Sequence, residues 1–62
     1  MNNSHHPIIN ARHSFEKARY ELEVAKINLE GTGRFQSTVR EINDVVYDLS
    51  KCIDAMNLHL KD

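Results

Sequence analysis

The stretch Gly31-Thr32-Gly33 separates two segments that share one heptad spacing of apolar residues. Before it, apolar residues and alanines recur at alternating three- and four-residue intervals, at Ile8, Ala11, Phe15, Ala18, Leu22, Ala25 and Leu29. After it, the same intervals give Phe35, Val39, Ile42, Val46, Leu49, Ile53, Met56 and Leu60. Two such seams joined by a short glycine-containing turn predict an all-α fold, an antiparallel two-helix hairpin.

The two seams also predict a register. In an antiparallel hairpin, residues at the same height have numbers with a constant sum, and a sum of 64 pairs every seam position from 8 to 29 with an apolar partner. Leu22 then faces Ile42, and Ala18 faces Val46. This alternation of bulky and small layers allows two helices to approach closely and interdigitate.

The predicted organisation is a mobile polar tail over residues 1–6 and a hairpin over residues 7–62. Helix 1 is expected over about 7–30, the turn over 31–33, and helix 2 over about 34–60. Pro7 suits the first turn of a helix. Gly31 is predicted to be the left-handed residue that ends helix 1, and Thr32 or Gly33 to cap helix 2.

The size of the chain favours self-association. Chains of about 60 residues bury only about 60% of the surface that they expose when unfolded, and with one cysteine this chain forms no internal disulfide. We therefore expect a homodimer in which two hairpins form a four-helix bundle. The predicted interface is a row beside the seam of helix 2, at seven-residue steps: Thr38, Val45, Cys52 and His59.

A second apolar patch lies on helix 1, away from its alanine seam. It consists of Tyr20, Val24 and Ile27, with Lys17 and Glu21 as charged neighbours. Scattered apolar residues are common on protein surfaces. The spacing of three and four residues nevertheless fits the anchors by which a helix face binds another protein. We interpret the patch as the binding site for an unidentified partner protein.

The sequence does not predict an enzyme. Cys52 and His13 are a conceivable nucleophile and base, but catalysis also requires an orienting group and a pocket that excludes water. The histidines and the cysteine lack the spacing of a metal site, so no metal, cofactor or small-molecule ligand is expected. The lone cysteine and the absence of a long apolar run favour a cytoplasmic protein with no membrane segment.

The alternative hypothesis is a dimeric hairpin that binds structured RNA. Arg12, Arg19 and Lys26 form a basic row at seven-residue steps, and such a row can follow a phosphate backbone. Glu16 and Glu23 lie within ion-pair reach on the same helix and are expected to weaken its field. The net charge of −1 gives no general attraction to nucleic acid.

Two resemblances extend these interpretations. The seam, with Ala11, Ala18 and Ala25 alternating with larger residues, is similar to that of the plasmid copy-number RNA-binding hairpin, a dimeric four-helix bundle. The stretch His13-Ser14-Phe15-Glu16-Lys17-Ala18-Arg19-Tyr20 and the chain length resemble the short accessory proteins of the non-essential early region of lambdoid phages. The second resemblance implies a phage-encoded regulator that modulates development or host physiology by binding a protein.

Overall fold

The chain forms an antiparallel pair of long helices. The computed structural model describes residues 5–61, with α1 at His5–Thr32 and α2 at Gln36–Lys61. The two helices pack along their length into a rod of 51 × 14 × 11 Å, and the described residues contain no strand. The predicted all-α hairpin is therefore confirmed.

The observed start of α1 differs from the predicted one. Residues 1–4 of the predicted polar tail lie outside the described residues, whereas His5 and His6 belong to α1. Pro7 is accordingly the third residue of the helix rather than the first. Proline is tolerated throughout this first turn, because its missing N–H has no carbonyl partner there.

The turn lies later in the chain than predicted. Gly31 is helical, and the left-handed residue that follows α1 is Gly33, with φ of 70°. The prediction that Gly31 ends the helix is therefore wrong. The Gly33 N–H donates to the Glu30 carbonyl over 3.1 Å, which closes the last turn of α1.

Thr32 connects the end of α1 to the turn. Its hydroxyl donates to the Leu29 carbonyl over 2.6 Å and accepts from the Arg34 N–H over 3.1 Å. The first bond satisfies a carbonyl in the last turn of α1, and the second satisfies an N–H of the turn between the helices. Thr32 is thus the last residue of α1, and the prediction that Thr32 or Gly33 caps helix 2 is wrong.

Phe35 precedes α2 in a left-handed conformation with φ of 61°. Its carbonyl accepts the Val39 N–H over 2.9 Å, the first bond of the helical ladder. Left-handed backbone costs a non-glycine residue about 1–2 kcal/mol. The ring is 58% exposed, so Phe35 does not occupy the seam position that the heptad pattern predicts.

The core of the hairpin is small. Ile42 and Ile53 are the buried apolar residues of the described chain, at 9% and 4% exposure, and no side chain there is fully enclosed. Most other predicted seam residues of both helices are half-buried. The exception on α1 is Ala18, which is exposed, so its predicted place in the seam is wrong.

Two hydrogen bonds join the helices on one side of the seam. The Arg12 guanidinium donates to the Asn57 side-chain carbonyl over 2.7 Å, and the Arg19 guanidinium donates to the Ser50 hydroxyl over 3.2 Å. Both acceptors are neutral side chains of α2, so this side of the seam is a polar layer.

The hairpin thus has two different flanks. The arginine flank is the side on which Arg12 and Arg19 meet Asn57 and Ser50. The valine flank is the opposite side, which carries Ala18 of α1 and the row beside the seam of α2: Thr38, Val45, Cys52 and His59.

Candidate protein-binding surfaces

The predicted partner patch on α1 is open to solvent. Tyr20 is 67% exposed, Ile27 64% and Val24 39%. The charged neighbours Lys17 and Glu21 are exposed as well. At 100° per residue the three apolar side chains lie on the side of α1 that faces away from α2. The structure therefore brings the predicted residues together on one accessible helix face.

The sequence interpretation did not include two exposed apolar residues of α2. Tyr47 is 64% exposed and Leu58 67% exposed. The Lys51 ammonium lies 4.9 Å from the centre of the Tyr47 ring, within the range of a cation–π contact. Both residues lie off the seam and off the row beside it, but no repeated spacing marks either of them as a surface.

Tyr47 lies beside the arginine flank. It precedes Ser50 by three residues and is therefore its neighbour on the surface of α2. Tyr20, by contrast, belongs to the outer face of α1 with Val24 and Ile27. The arginine flank therefore has a polar centre with the exposed ring of Tyr47 at its α2 side.

The predicted dimer row lies on the valine flank and is exposed. Val45 is 43% exposed, and Thr38, Cys52 and His59 are also exposed. Ala18 is exposed on α1, as are Ser14 and Glu21, one turn to either side of it. The centre of the valine flank is thus formed by the small or medium side chains of Ala18, Val45 and Cys52.

The predicted basic row is packed between the helices rather than displayed. Arg12, Arg19 and Lys26 are half-buried, and both arginines donate to neutral acceptors of α2. The Arg12 Nε is buried and has no hydrogen-bond partner within the described chain. The arginines therefore keep their charge but point it toward the seam.

The expected neutralisation of these arginines by glutamates is not observed. Over residues 5–61, the ion pair within 4.0 Å is His13 Nδ1 to Glu16 Oε1, at 3.5 Å. Glu16 thus contacts His13 instead of Arg12. The reason is geometric, because a guanidinium drawn toward Asn57 or Ser50 is no longer near the carboxylate one turn along its own helix.

A shallow cleft of about 380 Å³ lies at the turn end of the hairpin. Its walls are formed by Glu30, Gly33, Arg34, Gln36, Val39 and Arg40. Two arginines and one glutamate give it mixed charge, and it opens widely to solvent. An open cleft of this kind does not exclude water, which acid–base or nucleophilic catalysis requires.

Among the residues that the structure describes, no three histidine, cysteine, aspartate or glutamate side chains come together as ligands for a metal ion. Neither α1 nor α2, over the part described, has an apolar stretch long enough to cross a membrane.

A comparison of the chain with protein-family models, with curated proteins and with solved structures finds no match. The two flanks and the outer face of α1 are the candidate binding surfaces of the described chain.

Proposed function

We propose that this chain is a small non-enzymatic adaptor or regulator that binds another protein through the outer face of α1. The observation that carries the proposal is the exposure of Tyr20 and Ile27, at 67% and 64%, on the face of α1 that points away from α2. Nothing in the hairpin requires large apolar side chains there, because that face makes no contact with the other helix.

The chemistry of the patch fits a protein partner. Fully burying one large apolar side chain contributes about 1.5–3 kcal/mol, and tyrosine is enriched among the residues that dominate binding energy. Tyr20, Val24 and Ile27 follow the i, i+4, i+7 spacing of a helix that lies in a groove. Lys17 and Glu21 supply a polar rim, which orients the partner more than it adds affinity.

In this proposal the working unit is a homodimer that forms a four-helix bundle in the cytoplasm. The support is the small core, since Ile42 and Ile53 are the buried apolar residues of the described hairpin. A second hairpin would add a second layer of helices to this core. The dimer would then carry two copies of the patch formed by Tyr20, Val24 and Ile27. The resemblance to phage accessory proteins extends the proposal to a phage-encoded modulator of development or of host physiology.

Binding of structured RNA is the second candidate function, and one observation favours it. Arg12 and Arg19 donate to the neutral side chains of Asn57 and Ser50, and among residues 5–61 neither forms an ion pair within 4.0 Å. A guanidinium has five N–H donors, and those left over remain available to a phosphate. Tyr47, beside this flank, offers a ring on which a base can stack.

A capture experiment separates the two candidates. Purified wild-type chain is immobilised and exposed to a lysate of the cells in which it acts, with and without nuclease. The test variant is Tyr20→Ala/Ile27→Ser. The matched control is Glu23→Ala/Asn28→Ala, which truncates two exposed polar residues on the same helix. Far-UV circular dichroism verifies that all three proteins are equally helical.

The adaptor proposal predicts a protein that is captured by the wild type and the control, survives nuclease and is lost with the test variant. RNA binding predicts capture that nuclease abolishes and that the test variant leaves unchanged. Its own variant is Arg19→Met, which removes the charge and retains much of the side-chain length. If neither variant reduces capture by the immobilised chain, both proposals are wrong.

A further inference from the structure

We propose that the valine flank is the surface on which a second copy of this chain packs, in a two-fold arrangement that places Val45 opposite Cys52 of the second copy. This inference rests on the homodimer of the proposed function and specifies its interface. Four observations support it: the exposure of the flank, the positions of its residues, its charge and the area of the hairpin.

The valine flank carries apolar side chains that the single hairpin leaves uncovered. Val45 is 43% exposed, and Cys52 and Ala18 are exposed as well. The heptad spacing of α1 includes Ala18, so the sequence provides a small residue there for close helix packing. Within the hairpin α2 does not fill that place, and a second copy does.

The row on α2 is complementary to itself. A two-fold interface places the same patch of both subunits face to face, so its residues must pair about a central point. The centre of α2 at Gln36–Lys61 lies midway between Asp48 and Leu49. Val45 and Cys52 are equidistant from that centre, and so are Thr38 and His59. Two fully overlapped antiparallel copies of α2 therefore pair these residues.

Ala18 lies near the same centre. It is within one residue of the middle of α1 at His5–Thr32 and is exposed. In the two-fold arrangement the two copies of Ala18 therefore lie close to the axis. A small side chain there allows the second hairpin to approach closely.

Charge selects the valine flank over the arginine flank. A two-fold axis brings identical rows together, and like charges placed opposite each other oppose association. The row on the valine flank has no formal charge when histidine is neutral. A two-fold dimer formed through the arginine flank would instead bring Arg12, Arg19 and Lys26 close to the same three cations of the second copy. Self-association is therefore favoured on the valine flank.

The exposed area is large for a chain of this mass. The chain exposes 4859 Å², whereas a compact monomer of 7.2 kDa is expected to expose about 4100 Å². The excess reflects the rod shape of the hairpin, 51 Å long and 11–14 Å wide. Such a rod presents a long flank to a second copy, whose packing would bring the area toward that of a compact protein.

Disulfide trapping tests this register with the full chain. Val45→Cys/Cys52→Ser is unfolded together with wild-type chain, refolded under reducing conditions and then oxidised with diamide. Cysteines at facing positions meet the requirement that their Cα atoms lie within about 7 Å. By contrast, Cys52 lies seven residues, or about 10.5 Å along the axis, from Cys52 of the second copy. The matched control is Ala55→Cys/Cys52→Ser, because Ala55 is exposed on the far side of α2.

The expected result is a shift from 7.2 kDa to twice that mass on a non-reducing gel. The shift should occur in the mixture, but not with either protein alone or with the Ala55 control. Efficient cross-linking of wild type alone would place Cys52 next to Cys52 of the second copy and overturn the register. No cross-link in a sample that sedimentation shows to be dimeric would overturn this interface and leave the homodimer standing. A monomeric sample would overturn both.

Discussion

Alanine substitution of the two glycines of the turn should have opposite effects on stability. Gly31 lies within α1, and a Cβ added there meets nothing within 4 Å. Alanine is about 0.5–1 kcal/mol more favourable than glycine inside a helix, so Gly31→Ala should raise the free energy of unfolding by that amount. Gly33 also has open space around it, but its φ is +70°. Gly33→Ala should therefore lower the free energy of unfolding by about 1–2 kcal/mol, through backbone strain alone.

The two variants should differ by about 1.5–3 kcal/mol. The assay is guanidinium unfolding followed by far-UV circular dichroism, at one fixed protein concentration because association changes apparent stability. For a domain of this size, 1 kcal/mol corresponds to about 4–8 °C in melting temperature. The order of melting should be Gly31→Ala, wild type, Gly33→Ala. Equal shifts or the reverse order would place the left-handed residue at Gly31 and refute the observed turn.

Two further substitutions test the core and the valine flank. Ile53→Ala should lower the free energy of unfolding by about 2–5 kcal/mol, because Ile53 is 4% exposed; a loss below 1 kcal/mol in guanidinium unfolding would contradict its burial. Ala18→Leu should leave the hairpin nearly unchanged at concentrations where the chain is monomeric, because Ala18 is exposed there. In the dimer the larger side chain should overpack the interface and cost about 1–3 kcal/mol per chain. The association constant should therefore fall at least about 30-fold. The control Ala55→Leu should leave association unchanged. A destabilised monomer would return Ala18 to the seam between the helices.

The sequence was sufficient to predict the helical pair, because its evidence is a spacing repeated over both halves of the chain. Ile42 and Ile53 lie at seam positions and are buried. The hydrophobic effect acts on all seam residues at once, so the prediction does not depend on any single position.

Details that depend on one or two polar interactions were not predicted. The choice between Gly31 and Gly33 as the left-handed residue follows from the two hydrogen bonds of the Thr32 hydroxyl. The polar layer beside the seam consists of the hydrogen bonds from Arg12 to Asn57 and from Arg19 to Ser50. Each such bond contributes only about 0.5–1.5 kcal/mol, and residue periodicity carries no information about it.

The candidate surfaces were predictable only where a repeated spacing of apolar residues marks them. Tyr20, Val24 and Ile27 lie off the seam of α1, and the structure exposes them together. Tyr47 shows a comparable exposure, but no repeated spacing marks it in the sequence. Which surface binds a partner depends on that partner's shape, and this information is not contained in the chain itself.

Sedimentation equilibrium of the wild-type chain beside Val45→Asp tests the central claim most directly. The claim is that two hairpins complete one core across the valine flank. It predicts a wild-type mass of twice 7.2 kDa and a mass of 7.2 kDa for Val45→Asp, with a lower melting temperature for the variant. A wild-type chain that sediments at 7.2 kDa up to the highest concentrations, or a variant that stays dimeric, would contradict it.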